Sequence, residues 1–137
     1  MRNTRITDKI EYARERINDL EAWLSEEEVK EKKTLFASEK AFQELAESLM
    51  DIFAMMLSDL KMAVKDDYSN IAKLKEKNIL AEYHAGIAIT ANGLRNRIVH
   101  RYNSVDEKIF VESAKELLPK LANLLQHLEN YNMKENG

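Results

Sequence analysis

The chain has 137 residues and a formal net charge of −3; 45% of its residues are hydrophobic, 33% are charged, and it holds three Gly, one Pro and no Cys. So few helix breakers, with abundant Leu, Ala, Glu and Lys, point to a soluble all-α protein forming one domain over residues 1–137. The absence of cysteine excludes disulfides, thiolate metal sites and cysteine nucleophiles, and the mild acidity argues against a general nucleic-acid coat.

Ile6, Ile10, Ala13, Ile17, Leu20 and Leu24 recur in steps of four and three, the stripe of an amphipathic helix with its cap at Asn3 or Thr4. The charged run at 26–33 reads as a turn or a solvated helix start. A longer helix follows on Leu35, Phe42, Leu45, Leu49, Ile52, Phe53, Met56 and Leu60. Met50, Met55, Met56 and Met62 surround that helix, and their first reading is core packing, with a dimer interface as the alternative. Asp66–Asn70 is a polar break from which Ser69 or Asn70 caps a short helix over Ile71–Lys77. Asn78 ends it, because asparagine tolerates the left-handed conformation. The next helix spans about Leu80 to Arg101 and closes at a polar turn, Asn103–Asp106. The last shows Ile109, Phe110, Leu117, Leu121, Leu124, Leu125 and Leu128, and Pro119 is expected to kink it or start a new segment. Four to five helices on short connections imply an up-and-down antiparallel bundle. The N-terminal residues hold no apolar run, and the longest one, Ile52–Leu57, is far short of a membrane span. A cytoplasmic protein without a membrane partner is expected.

The chemistry concentrates in Leu94–Tyr102, L-R-N-R-I-V-H-R-Y. Between Tyr83 and Val105 there is no Asp or Glu, so positive charge is local to this helix end. A histidine titrates near neutrality and can take the ribose 2′-hydroxyl proton or protonate the leaving oxygen. An arginine can hold a phosphate through two parallel hydrogen bonds and stabilise charge on its oxygens. Arg95, His100 and Asn96 therefore suit RNA cleavage without a metal or other cofactor, with Asn96 fixing the imidazole or a phosphate oxygen. Arg97 and Arg101 supply attraction for an RNA backbone, and Tyr102 offers a ring or a hydroxyl. On a helix Arg95 and His100 point about 140° apart. One helix serves both poorly; they line one cleft if the helix frays near its end, or if a second copy crosses the first in a two-fold homodimer. Against this stands a plainer reading: arginines at a helix C-terminus complement its dipole, and a lone histidine is commonly structural. His84 and His127 lack a comparable cluster. Glu47 and Asp51, one turn apart, are within reach of the arginines but read first as surface residues, and Asp66-Asp67 as a solvated turn.

The stretch Arg95-Asn96-Arg97-Ile98-Val99-His100 resembles the signature of HEPN-domain ribonucleases, an Arg, often followed by Asn, with a His a few residues on. Its extension to Tyr102, within G-L-R-N-R-I-V-H-R-Y-N-S-V-D, is similar to HepT-like toxins of prokaryotic toxin–antitoxin pairs. The likeness reaches back through A-F-Q-E-L-A-E-S-L-M-D-I and L-K-E-K-N-I-L, with Asn78 standing where these proteins often have Gly. The resemblance implies a homodimeric bundle whose two motifs meet across the interface, acting as a metal-independent endoribonuclease of a type VII-like pair. It implies Arg95 and His100 as the catalytic pair with Asn96 in support. It also implies that Tyr102 is the tyrosine modified with AMP by an MntA-like nucleotidyltransferase antitoxin. A second reading stays open: a non-catalytic bundle subunit that binds a nucleotidyltransferase partner and its nucleotide or substrate.

Overall fold

The computed structural model describes residues 3–25, 28–100 and 107–136. Among these, five α-helices follow one another: α1 (Thr4–Trp23), α2 (Lys32–Asp59), α3 (Asp67–Glu76), α4 (Glu82–Val99) and α5 (Glu107–Asn136), with a short 3₁₀ turn at Glu28–Lys30. Helices α1, α2, α4 and α5 pack in a closed ring, and α3 braces α2 against α4.

The periodic stripes do the packing. All six predicted apolar positions of the first helix are buried, as are Leu35, Phe42, Leu45, Leu49, Ile52, Phe53 and Met56 of the second. Phe42 meets Phe110 edge-to-face at 6.1 Å, joining α2 to α5 through the core. Met50 and Met56 are buried, in keeping with their reading as core residues. Asn3 caps α1, its side chain accepting from the N–H groups of Arg5 and Ile6. Asn132, itself buried, donates to the Asn3 carbonyl and to Thr7 Oγ1, each at 3.2 Å. That bond set and the Arg14–Glu129 ion pair fasten α1 to α5.

Four expectations are corrected. The cap of α3 is Asp66, whose carboxylate accepts from the Ser69 N–H and hydroxyl, so the helix starts four residues before Ile71 and Asp66-Asp67 is no idle turn. Asn70 is instead buried, and its amide clamps the preceding loop by bonding both the N–H and the carbonyl of Lys65. Helix α5 runs on through Pro119, so no new segment starts there; Leu117, Leu118 and Leu121 on either side are buried, and their packing offsets the lost backbone bond. Leu60 and Ile109 lie at the ends of their helices and are exposed. The left-handed residue at the end of α3 is Asn78, φ 61°, as predicted, and Lys61 adopts the same conformation at the end of α2. No helix among the described residues is long and apolar enough to cross a membrane.

Candidate functional site

Helix α4 carries the motif on a backbone with two sides. Ala85, Ala88, Ala91, Asn92, Leu94 and Ile98 face the bundle and are buried, whereas Gly86, Ile89, Thr90 and Arg97 are exposed. Arg95 falls in the middle of the inward arc, and its side chain reaches α2. Nη2 donates to Glu47 Oε1 at 3.1 Å and Nη1 donates to Asn96 Oδ1 at 2.8 Å. Nε is buried and has no partner among the described residues. A guanidinium has five N–H donors; two of them are engaged here, leaving the buried Nε–H and one N–H on each terminal nitrogen without a partner among the described residues.

Glu47, read from the sequence as within reach of the arginines but first as a surface residue, pairs with Arg95. The acid-free window is real in the sequence, but the carboxylate arrives from another helix. Burial alone would raise the Glu47 pKa; hydrogen bonds from Gln43 and Arg95 and the charges of Arg95 and Lys40 outweigh it and hold the group below its usual 4.5. The residue is thus ionised at neutral pH and clamps the guanidinium. Asp51 pairs with Lys9 of α1 instead and takes no part in the site.

Asn96 sits between Arg95 and α3: its Nδ2 donates to the Tyr68 hydroxyl at 3.4 Å. A chain of side chains therefore runs Gln43–Glu47–Arg95–Asn96–Tyr68 across α2, α4 and α3. Gln43 and Tyr68 were not singled out in the sequence. The Asp66–Ser69 cap does place Tyr68 on the first turn of α3, but only packing reveals which helix it faces.

His100 is the C-cap of α4, exposed, with φ −98° and ψ 59°; its N–H donates to the Asn96 carbonyl at 2.9 Å. The helix thus ends at the histidine, and Arg95 and His100 leave it on different sides, the arginine toward α2 and the histidine toward solvent. Arg97 is exposed in the last turn. Arg101, Tyr102 and the Asn103–Asp106 turn lie outside the described residues. Elsewhere, His84 stacks on His127 with ring centroids 4.3 Å apart, and His127 Nε2 donates to the Ile79 carbonyl at 2.8 Å. That pair joins α4 to α5, away from Arg95. No group of three or more His, Asp or Glu able to hold a metal occurs among the described residues.

With this geometry in hand, residues 10–128 match the family model described as ribonuclease HepT-like. The chain belongs to the HepT-like ribonuclease family. Two Archaeoglobus fulgidus proteins named as predicted RNases are relatives. One is 38% identical over 133 residues, 95% of each chain, and the other 38% identical over 106 residues, 77% of each. In fold, this HepT-like chain is similar to a tri-AMPylated Shewanella oneidensis HEPN toxin solved with its MNT antitoxin. The TM-score is 0.85 at 16% identity, covering 93% of this chain and 98% of the other. A toxin–antitoxin structure solved with AMP-PNP gives a TM-score of 0.82 at 15% identity, covering 92% and 98%.

Proposed function

We propose that this HepT-like protein is a metal-independent endoribonuclease toxin acting as a homodimer, with Arg95 and His100 of two copies lining one groove. The observation that carries the reading is the divergence of the two residues on α4: the guanidinium is clamped inward by Glu47 while the histidine faces outward. A second copy seated on the outward face supplies the nearby complement. That face is built to admit one. A Cβ at Gly86 or Gly93 would meet nothing within 4 Å among the described residues, so no described neighbour requires glycine there. Ile89 is 46% exposed on the same side. Glycine and apolar side chains on an exposed helix allow close approach of another helix.

In this reading His100 takes the 2′-hydroxyl proton, the 2′-oxygen attacks the adjacent phosphorus, and the bond from phosphorus to the 5′-oxygen breaks as that oxygen takes a proton from water, leaving a 2′,3′-cyclic phosphate. Arg95 meets the charge growing on the phosphoryl oxygens, and Asn96 fixes the guanidinium. Arg97 and Arg101 attract the RNA backbone. The Shewanella oneidensis toxin is tri-AMPylated beside its MNT antitoxin, and we extend that control to this chain, with Tyr102 as the acceptor. Bulk and negative charge added there oppose an RNA phosphate. The experiment is cleavage of RNA in the presence of a chelator. Wild type cuts, while His100→Ala and Arg95→Ala do not. Intact RNA with retained binding of a nucleotidyltransferase partner supports instead the non-catalytic subunit, whose basic helix end holds that partner's nucleotide.

A further inference from the structure

We infer that Tyr68 and the cavity lined by the next residue, Ser69, form a subsite for single-stranded RNA flanking the cleaved linkage, with the Tyr68 ring stacking the neighbouring base and Lys65 and Lys73 taking a backbone phosphate. The inference rests on the ribonuclease reading above and extends it to a helix that carries none of the motif.

Tyr68 has its polar end fixed and its ring open. The hydroxyl accepts from Asn96, which in turn holds Arg95, so the ring lies two hydrogen bonds from the guanidinium; yet the residue is 43% exposed. An aromatic ring held by its hydroxyl beside a phosphate-binding group is already oriented for a base. Stacking accepts any base, since each has a π-face. The next residue, Ser69, lines a cavity of about 360 Å³ together with Lys65 and Lys73. This cavity is rigidly framed: Asn70 is buried and bonds the Lys65 N–H at 2.7 Å and its carbonyl at 3.1 Å. The carboxylate that caps the same helix, Asp66, is engaged by Ser69, and Lys73 has an exposed partner in Glu76 at 3.4 Å. Two lysines presented from a clamped loop and a short helix, one residue from a stacking ring, suit the phosphate that follows a stacked base. The arrangement selects unpaired RNA, because a base inside a duplex cannot reach the ring.

The test uses a short single-stranded RNA, with cleavage kinetics on the full chain and equilibrium binding on a His100→Ala background. Tyr68→Leu raises KM and Kd about 5- to 100-fold, the range of base–aromatic stacking, with kcat changed far less. Tyr68→Phe, which keeps the ring, stays within about three-fold of wild type in KM. An abasic site next to the cleaved linkage erases the difference between Tyr68→Leu and wild type. Lys65→Gln with Lys73→Gln flattens the dependence of log binding on log salt by about 0.7, the single-strand contribution of one neutralised phosphate. Cleavage by wild type with unchanged KM and Kd in Tyr68→Leu overturns this subsite and leaves the ribonuclease reading standing. Absence of both cleavage and RNA binding by wild type removes that reading and the subsite with it.

Discussion

Glu47 is the residue whose replacement reports most directly on how the site is held. It anchors one terminal nitrogen of Arg95 at 3.1 Å, while Asn96 anchors the other. The two side chains are 40% and 26% exposed, so solvent screens the pair and its contribution to folding is at most about 1 kcal/mol. The effect on catalysis is of orientation. Losing one of two anchors lets the guanidinium swing off the phosphoryl oxygens, and about 1 kcal/mol of lost alignment is roughly a five-fold fall in rate. Glu47→Ala is therefore expected to lower kcat about three- to ten-fold with little change in melting temperature. Glu47→Gln keeps an acceptor and stays within about three-fold of wild type. The pH dependence follows from the sign of the shift. A carboxylate held below 4.5 keeps its clamp fully in place above that pH and loses it only as pH falls through the lower folded value. Single-turnover cleavage of a labelled RNA measures both variants. An unchanged or raised rate in Glu47→Ala refutes the reasoning, since it makes the carboxylate a competitor of the phosphate and not a positioning group.

Other predictions concern assembly, pH and control. A Cβ at Gly93 meets nothing within 4 Å among the described residues, so Gly93→Leu is expected to stay folded, with a cooperative thermal transition, while sedimenting as a monomer and losing cleavage; a fully dimeric, active variant contradicts the proposed face. Burial, helped by the charge of His127 and opposed by a bond from Asn123, lowers the His84 pKa from 6.5. Its neutral form therefore stabilises the fold above pH 6.5, and that stability is lost as pH falls through the lower folded value. Melting temperature should rise with pH across that window in wild type, and the slope should shrink in His84→Gln; equal slopes refute the assignment. Tyr102→Phe is expected to keep cleaving RNA while taking up no AMP from the nucleotidyltransferase, and undiminished incorporation measured with labelled ATP would contradict it.

Much of this architecture is legible in residue spacing. The stripe from Ile6 to Leu24, the cap at Asn3 and the left-handed Asn78 are local properties, set by helical period and backbone preference, and they hold in the structure. What spacing does not disclose is contact between helices. Glu47 lies 48 residues from Arg95 and Tyr68 lies 28 from Asn96, so spacing shows Glu47 only as one of two acids within reach of the arginines, and Tyr68 not at all. The start of α3 is misplaced for a related reason: Asp, Ser and Asn all cap helices, and burial of Asn70 decides among them. Pro119 shows packing overriding a local rule. The roles proposed for Arg95, Asn96 and His100 rest on motif likeness and chemistry. The structure adds that the first two are bonded to each other while the third leaves the helix on another side.

The central claim is that one groove needs residues from two copies, and mixing mutant subunits tests it most directly. Arg95→Ala and His100→Ala proteins, each inactive alone, are combined, allowed to exchange subunits and assayed for RNA cleavage. Each mixed dimer keeps one intact Arg95 and one intact His100 on different chains, so activity should return to about a quarter of wild type, half the dimers being mixed and each retaining one complete pair. A mixture as inactive as its parents, despite confirmed exchange, would place both residues of each site in a single chain and contradict the account.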